Sequence, residues 1–278
     1  MTVAEFVPIV LCAAFAAGFL GSLTGLGGGV IVTPVLTLFL GVDLRYAIGA
    51  SLVSVIATSS GAAAAYVRDG FSNIRMGMFL EIATTAGALC GAYLGTRVPV
   101  RALSIVFGLI LLQSAWQAMR EQRHNELPTP ADPLGERLNL NGSYNNNGVE
   151  ESYAVRRVKT GFGLMFGAGA ISGLLGIGSG SLKVIAMDRA MQVPFKVSTA
   201  TSNFMIGVTA AASAGVYLNR GYVNPGIAMP VMLGVLAGSM VGATFLARLP
   251  VVFLRRVFAV VVGTIGIQMI AAGVRGTL

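Results

Sequence analysis

Gly25-Leu-Gly-Gly-Gly29 sits in the middle of an apolar run from Phe6 to Leu40, and Gly176-Ile-Gly-Ser-Gly180 interrupts a second run, Thr160 to Met187. As one helix the first run would be roughly 52 Å long, against a hydrocarbon core near 30 Å. Glycines this dense lower helix stability. The spacing therefore predicts a break at each cluster, giving two shorter helices or a hairpin. In hydrocarbon a broken helix exposes unsatisfied amides, which is tolerated only where the backbone is buried in protein or lines a wet cavity.

Three apolar runs follow each broken one. Ala47–Val67, Met76–Gly95 and Ala102–Met119 come after the first, and Val197–Leu218, Gly226–Ala247 and Val251–Val274 after the second. About twenty apolar residues is the length a helix needs to cross a bilayer. Of 278 residues, 55% are apolar and 11% charged, with a mean hydropathy of +0.77. A soluble domain is nearer a quarter charged. These proportions exclude a cytosolic enzyme, a disordered chain and a nucleic-acid binder with a basic face. They leave an all-α polytopic membrane protein whose first partner is the lipid bilayer. The net charge of +8 is then read as Lys and Arg in cytoplasmic loops. Cys12 and Cys90 both lie inside apolar runs, which excludes a disulfide framework and a Cys-based metal site. No metal and no cofactor is expected. The opening MTVAEF lacks a basic n-region, so no cleavable signal peptide is expected.

A polar interval, Arg120 to Lys159, separates the halves. It holds Pro128, Pro130 and Pro133, an Asn-rich stretch over 139–147, and the only histidine, His124. That composition predicts a solvated linker of low order. The chain divides into a first transmembrane repeat (1–119), a flexible linker (120–159) and a second transmembrane repeat (160–278).

The halves are copies of each other. Shifting the sequence by 151 residues aligns Phe15–Phe107 with Phe166–Phe258 without a gap, giving 25 identities in 93 positions. Biased composition alone gives roughly a third of that. The glycines of the two clusters pair, as do Ser51 with Ser202, Tyr66 with Tyr217, Asn73 with Asn224, Gly87 with Gly238 and Gly91 with Gly242. If each first run is broken, each half makes five passes, about 5+5 in all, and the repeats are inverted. With the N-terminus outside and the linker inside, thirteen basic residues fall on the inner side and five on the outer. An unbroken first run gives four passes per half and a ten-to-eight split. The positive-inside rule favours the inverted arrangement with a cytoplasmic linker.

Paired broken helices near the midplane point their positive N-terminal ends at anionic substrates in transporters built from inverted repeats. Glycine lets N–H groups approach such a ligand closely. The candidate site is therefore the backbone of Gly27, Gly28 and Gly29 with Gly178, Ser179 and Gly180. Gly87, Gly91, Gly238 and Gly242, spaced four apart, read instead as close helix packing. Two readings stand for Lys183, a cation strengthening anion binding or a lysine snorkelling to the interface. Two stand for Glu81: a coupling acid, or an acid near the headgroups, which its place five residues into its run slightly favours. Ser51, Thr201, Ser202 and Asn203 are either donors to an anion or interhelical hydrogen bonds. Tyr66, Tyr217 and Trp116 fall near segment ends and read as interface anchors.

The clusters, with Ala47-Ile-Gly-Ala-Ser51 after the first and Val197-Ser-Thr-Ala-Thr-Ser-Asn203 after the second, resemble the TauE/SafE family of sulfite and organosulfonate exporters. The resemblance covers both apolar halves. It implies a multi-pass permease of the bacterial inner membrane that moves a small sulfur-containing anion and is not an enzyme. Ser179 in the centre of the second cluster, and Ile185 where the first half has Pro34, depart from the fuller pattern.

Rival classes fare less well. An intramembrane hydrolase needs a nucleophile with a base, and the only histidine is in the linker. Neither cluster has the spacing of a phosphate-binding loop. A passive anion channel, or a proton- or cation-coupled transporter of another small carboxylate or metabolite, remains the alternative. A homo-oligomer is compatible with the sequence.

Overall fold

A computed structural model describes residues 3–24, 29–68, 72–119, 132–146, 149–246 and 251–276. The first half consists of α1 (Val3–Thr24), α2 (Gly29–Leu40), α3 (Leu44–Arg68), α4 (Ile74–Gly95) and α5 (Val100–Met119). A short α6 (Pro133–Arg137) and a hairpin of β1 (Gly142–Asn146) and β2 (Val149–Tyr153) follow. The second half has α7 (Val158–Leu175), α8 (Gly180–Ile185) running on into a π-helical turn (Ala186–Ala190), α9 (Phe195–Asn219), α10 (Pro225–Leu246) and α11 (Val251–Arg275). The chain is an all-α membrane protein. Among the described residues α4, α5, α7 and α10 are each long and apolar enough to cross a bilayer, with shorter apolar helices beside them.

The predicted repeat is carried into the helices. The first residues of α2, α3, α4 and α5, moved on by 151, are the first residues of α8, α9, α10 and α11. The packing is exchanged in the same way. α1 lies on α10 and α7 on α4, while α3 packs on α9 and α5 on α11. Each half's opening helix thus rests on the fourth helix of the other half.

Those two swapped contacts are glycine seams. A Cβ at Gly87 would strike the carbonyl of Phe166, and one at Gly91 that of Ala170; from the facing helix, Gly169 and Gly173 meet Thr84 and Ala88. Across the other seam Gly238 meets Phe15, and Gly18 meets Val235. Backbones approach this closely only where side chains are absent, the mode of association available when lipid tails are as apolar as the helices.

The start of one central helix meets the end of the other. Arg45, at the start of α3, donates from Nη1 to the Tyr222 hydroxyl just beyond α9 (3.1 Å) and from Nη2 to the Val98 carbonyl (3.1 Å). At the opposite end the Asn73 amide donates to Thr201 Oγ1 near the start of α9 (3.0 Å). Asn73 also caps α4, its Oδ1 accepting from the Met76 amide at 2.9 Å. Its repeat counterpart, Asn224, accepts from the Gly226 amide at 2.8 Å before α10.

Within the linker, residues 132–146 and 149–157 carry secondary structure. Asp132 caps α6 through Oδ1 to the Leu134 amide (2.9 Å), and its Oδ2 accepts from the Val158 amide at the start of α7 (2.8 Å). The strands pair antiparallel, Gly142 with Tyr153 through Asn146 with Val149. Leu140 and Val155 are buried among Met76, Leu80, Val158, Met187 and Met191. Asn73 Nδ2 holds the segment down by donating to the Leu140 carbonyl and the Tyr153 hydroxyl, both at 2.8 Å. Burial raises the Tyr153 hydroxyl above its ordinary pKa, partly offset by that bond from Asn73. Two apolar anchors, Leu140 and Val155, and two polar side chains, Asp132 and Asn73, hold this Asn-rich stretch in place.

Candidate functional site

The break in the second half is fully described. Gly176 closes α7 at φ +67°, Gly178 has φ +71°, and Ser179 takes the left-handed region at φ +44° before α8 begins at Gly180. The two glycines adopt that region freely, whereas a serine there is strained. All five residues of the cluster are buried. In the first half α1 and α2 are separate helices, and the break between them, with Gly27 and Gly28, lies outside the described residues.

Gly29 and the second cluster meet in the interior. Ser51 Oγ is within reach of the Gly29 carbonyl at 3.1 Å and of the Gly176 carbonyl at 3.0 Å. Its repeat partner, Ser202, donates to the Gly180 carbonyl at 3.2 Å. The apolar walls are also repeat partners. A Cβ at Gly29 would lie 2.5 Å from Val55, one at Gly180 would lie 2.7 Å from Ile206, and one at Gly178 would touch both. Here the two copies of the fold come together around the same residues, Ser51 with Val55 and Ser202 with Ile206.

Ser179 is 2% exposed, and its hydroxyl, like those of Thr33 and Ser172, is buried without a hydrogen-bond partner among the described residues. Thr201 is buried but lies with Asn73 at the linker end of α9. Asn203 is half-buried and donates to the Thr199 carbonyl one turn back, at 3.1 Å. Of the expected site residues, Gly29, Ser51, Gly178, Ser179, Gly180 and Ser202 form one cluster.

Lys183 and Glu81 form a second cluster. Lys183 is 0% exposed and directs Nζ to Thr209 Oγ1 at 2.5 Å. Thr209 Oγ1 is 2.7 Å from Glu81 Oε1. Thr84 donates to Glu81 Oε2 at 2.8 Å and Thr85 to Oε1 at 3.0 Å. The lysine therefore does not snorkel to the interface, and the acid is not a headgroup acid. Glu81 is 7% exposed. Asn73–Thr201 and Glu81–Thr209 are both eight residues apart along α4 and α9, so the carboxyl lies about 12 Å deeper than the Asn73 layer. Sequence reasoning missed Thr209, Thr84 and Thr85. The signals were available: Thr209 repeats Thr58, and the other two follow Glu81 by three and four residues, on its own helix face.

Tyr217 is not an interface anchor. It is fully buried, with its hydroxyl donating to the Leu174 carbonyl at 3.1 Å and its ring edge-on to Tyr222. The Arg45 guanidinium lies 5.5 Å from the Tyr222 ring, closing that end of the interior. Trp116 is 56% exposed, as an anchor would be, and the side chain of Tyr66 lies outside the described residues. A cavity of about 310 Å³ opens at the linker end, lined by Ser72, Asn73, Arg75, Asn141, Ser143 and Tyr153.

Interrupted helices meeting inside a polytopic bundle, with a buried lysine and acid beside them, define the class of membrane transporters. The Sulfite exporter TauE/SafE family matches over residues 10–269, and the chain belongs to that family. It is similar to "Probable membrane transporter protein YunE" of Bacillus subtilis, 28% identical over 266 residues that cover 93% of this chain and 95% of the relative. It is also similar to "Probable membrane transporter protein MJ0441" of Methanocaldococcus jannaschii, 24% identical with 95% of each chain covered. "Probable membrane transporter protein YdhB" of Bacillus subtilis is 25% identical over 89% of this chain and 93% of its own. No solved structure matches the chain.

Proposed function

We propose that this membrane transporter is a secondary carrier of a small anion, sulfite or an organosulfonate, in the bacterial inner membrane, with the folded 132–157 segment in the cytoplasm. The two halves act as inverted repeats of five passes each, and alternating access exposes a shared midplane site to either side. The substrate binds at the opening ends of α2 and α8. Amides of a helix's first turn have no acceptor within the helix, and both dipoles present positive ends there. Gly27, Gly28, Gly29, Gly178 and Gly180 let the anion approach the backbone. Ser179 adds a hydroxyl, Ser51 and Ser202 fix the carbonyls behind the site, and Lys183 supplies positive charge. Thr201 and Asn203 line the path on the linker side. Catalysis has no part in this reading.

The observation that carries it is the meeting of Gly29 with Gly176 under one serine hydroxyl, beside a buried Ser179 that no group among the described residues satisfies. A polar group in that condition calls for a partner. The family description supports the sulfur anion. Antiparallel alternation is supported by Arg45 bonding to the end of α9 and Asn73 to its start.

Thermal stabilisation of the purified protein against sulfite, sulfonates, sulfate, thiosulfate and carboxylates tests the substrate. A shift with the sulfur oxyanions, lost in Ser179→Leu while membrane insertion persists, is the expected result. A response confined to carboxylates, or stabilisation unchanged by Ser179→Leu, refutes the assignment.

A further inference from the structure

One hydroxyl, that of Thr209, stands between the buried carboxyl of Glu81 and the buried ammonium of Lys183. We propose that Glu81, Thr209 and Lys183 form a proton-exchanging charge clamp that couples uptake of one proton to binding of one negative charge, so that the protein works as a proton–anion symporter. The inference rests on the anion-transport reading above and adds its coupling ion.

Thr209 has one proton and two acceptors in range, Glu81 Oε1 at 2.7 Å and its own helix carbonyl at Met205 at 2.9 Å. It serves only one of them at a time. With Glu81 ionised, the hydroxyl donates to the carboxylate and accepts from Lys183. Thr84 and Thr85 complete the carboxylate's bonds. The two charges then compensate each other, which is what keeps an acid and a base tolerable inside a membrane bundle.

A proton delivered by hydronium breaks an O–H bond of that ion, forms one at the Glu81 carboxylate and releases water, and the carboxyl becomes neutral. The acid now donates to Thr209 Oγ1, whose proton turns to the Met205 carbonyl. Thr84 has the same alternative, the Glu81 carbonyl at 3.2 Å and the Leu80 carbonyl at 3.4 Å. Lys183 is left with an uncompensated charge one turn beyond Gly180. An unpaired buried charge is costly, and an anion at the α8 opening removes that cost. Both the resting and the loaded arrangements are neutral, so a proton and a monovalent anion bind and leave together.

Other charges do not intrude. On the elements packed against α4 and α8, Lys159 at the start of α7, Lys196 at the start of α9 and Arg189 on the π turn are exposed, as is Arg75 on α4 itself. Asp188, also on the π turn, has interactions of its own. Tyr217 on α9 is committed to the Leu174 carbonyl at the far end. The clamp also breaks the repeat. Thr209 has Thr58 as its counterpart, but Glu81 faces Met232 and Lys183 faces Val32. Each charge occurs in one half only, the carboxyl in the first and the ammonium in the second, so one proton is exchanged per cycle.

The test is calorimetric titration of the full-length protein in detergent with methanesulfonate, in two buffers of different ionisation heat. That anion does not titrate near neutral pH, so any proton taken up belongs to the protein. Wild type is expected to take up about one proton per anion. Glu81→Gln is expected to take up none and to bind with an affinity independent of pH, and Lys183→Met to bind about tenfold more weakly or worse. Proton uptake that persists unchanged in Glu81→Gln overturns the clamp. An infrared titration without any anion separates this from the substrate question. A titrating carboxyl band present in wild type, absent in Glu81→Gln and shifted in Thr209→Val supports the clamp even if no sulfur anion binds, in which case only the substrate reading falls. Absence of that band difference overturns the clamp whatever binds.

Discussion

Replacing Lys183 by methionine removes a charge without opening much volume, and its effect on stability follows from two distances. The ammonium is 2.5 Å from Thr209 Oγ1, which is 2.7 Å from Glu81 Oε1. The opposite charges are therefore held within about 5 Å of each other, and at an effective dielectric of about 20 they attract by about 3 kcal/mol. Both residues are buried, so solvent does little to screen them. Removing one partner strands the other, and single losses of this kind cost about 3–5 kcal/mol. Removing both removes the stranded charge as well. Lys183→Met combined with Glu81→Gln is thus expected to be more stable than either single variant, with a coupling energy of about 3 kcal/mol, well above the ~0.5 kcal/mol within which independent sites add. The assay is unfolding of the purified protein in mild detergent, by heat and by SDS titration at constant pH. Additivity of the two single effects would refute the pairing.

Gly87→Leu or Gly91→Leu drives a side chain into the Phe166 or Ala170 carbonyl across the α4–α7 seam, and loss of the monodisperse peak in size-exclusion chromatography is expected. Gly167→Leu on α7, where a Cβ meets nothing within 4 Å, should run as wild type; equal behaviour of the two kinds of variant would remove the seam as the reason for the glycines. With Cys12 and Cys90 replaced, a single cysteine at Arg97 should react with a membrane-impermeant maleimide on intact spheroplasts, and one at Ser143 only after permeabilisation. Labelling of both from the same side refutes the proposed sidedness.

Much of this was legible in the sequence because membrane burial imposes lengths. The apolar runs beginning at Ala47, Met76 and Val197 anticipate α3, α4 and α9 to within three residues, and the 151-residue offset places the start of α8 at Gly180. Glycines four apart on α4 were readable as packing since nothing else explains their spacing. The fixed structure of residues 132–146 and 149–157 was not legible because composition averages over a stretch, whereas Leu140, Val155 and Asp132 act one at a time. Tyr217 looked like an anchor from its place near a run's end, but the end it occupies is roofed by Arg45 and Tyr222 from other segments. Lys183 and Glu81 are about a hundred residues apart in different halves, and no periodicity links them. Only the packing of α8 and α4 against the same face of α9 does.

The exchanged seams have a consequence for how the chain is made. α1 emerges from the ribosome first, yet the helix that its glycine and small-residue face fits, α10, is nearly last. Until then α1 presents its seam face to lipid or to the insertion machinery, as α4 does until α7 is made, and the first half has no finished structure of its own to wait in. Assembly is therefore a late, concerted closure. Truncations that end before α10 leave α1 without its mate, and quality control will meet them as orphaned spans.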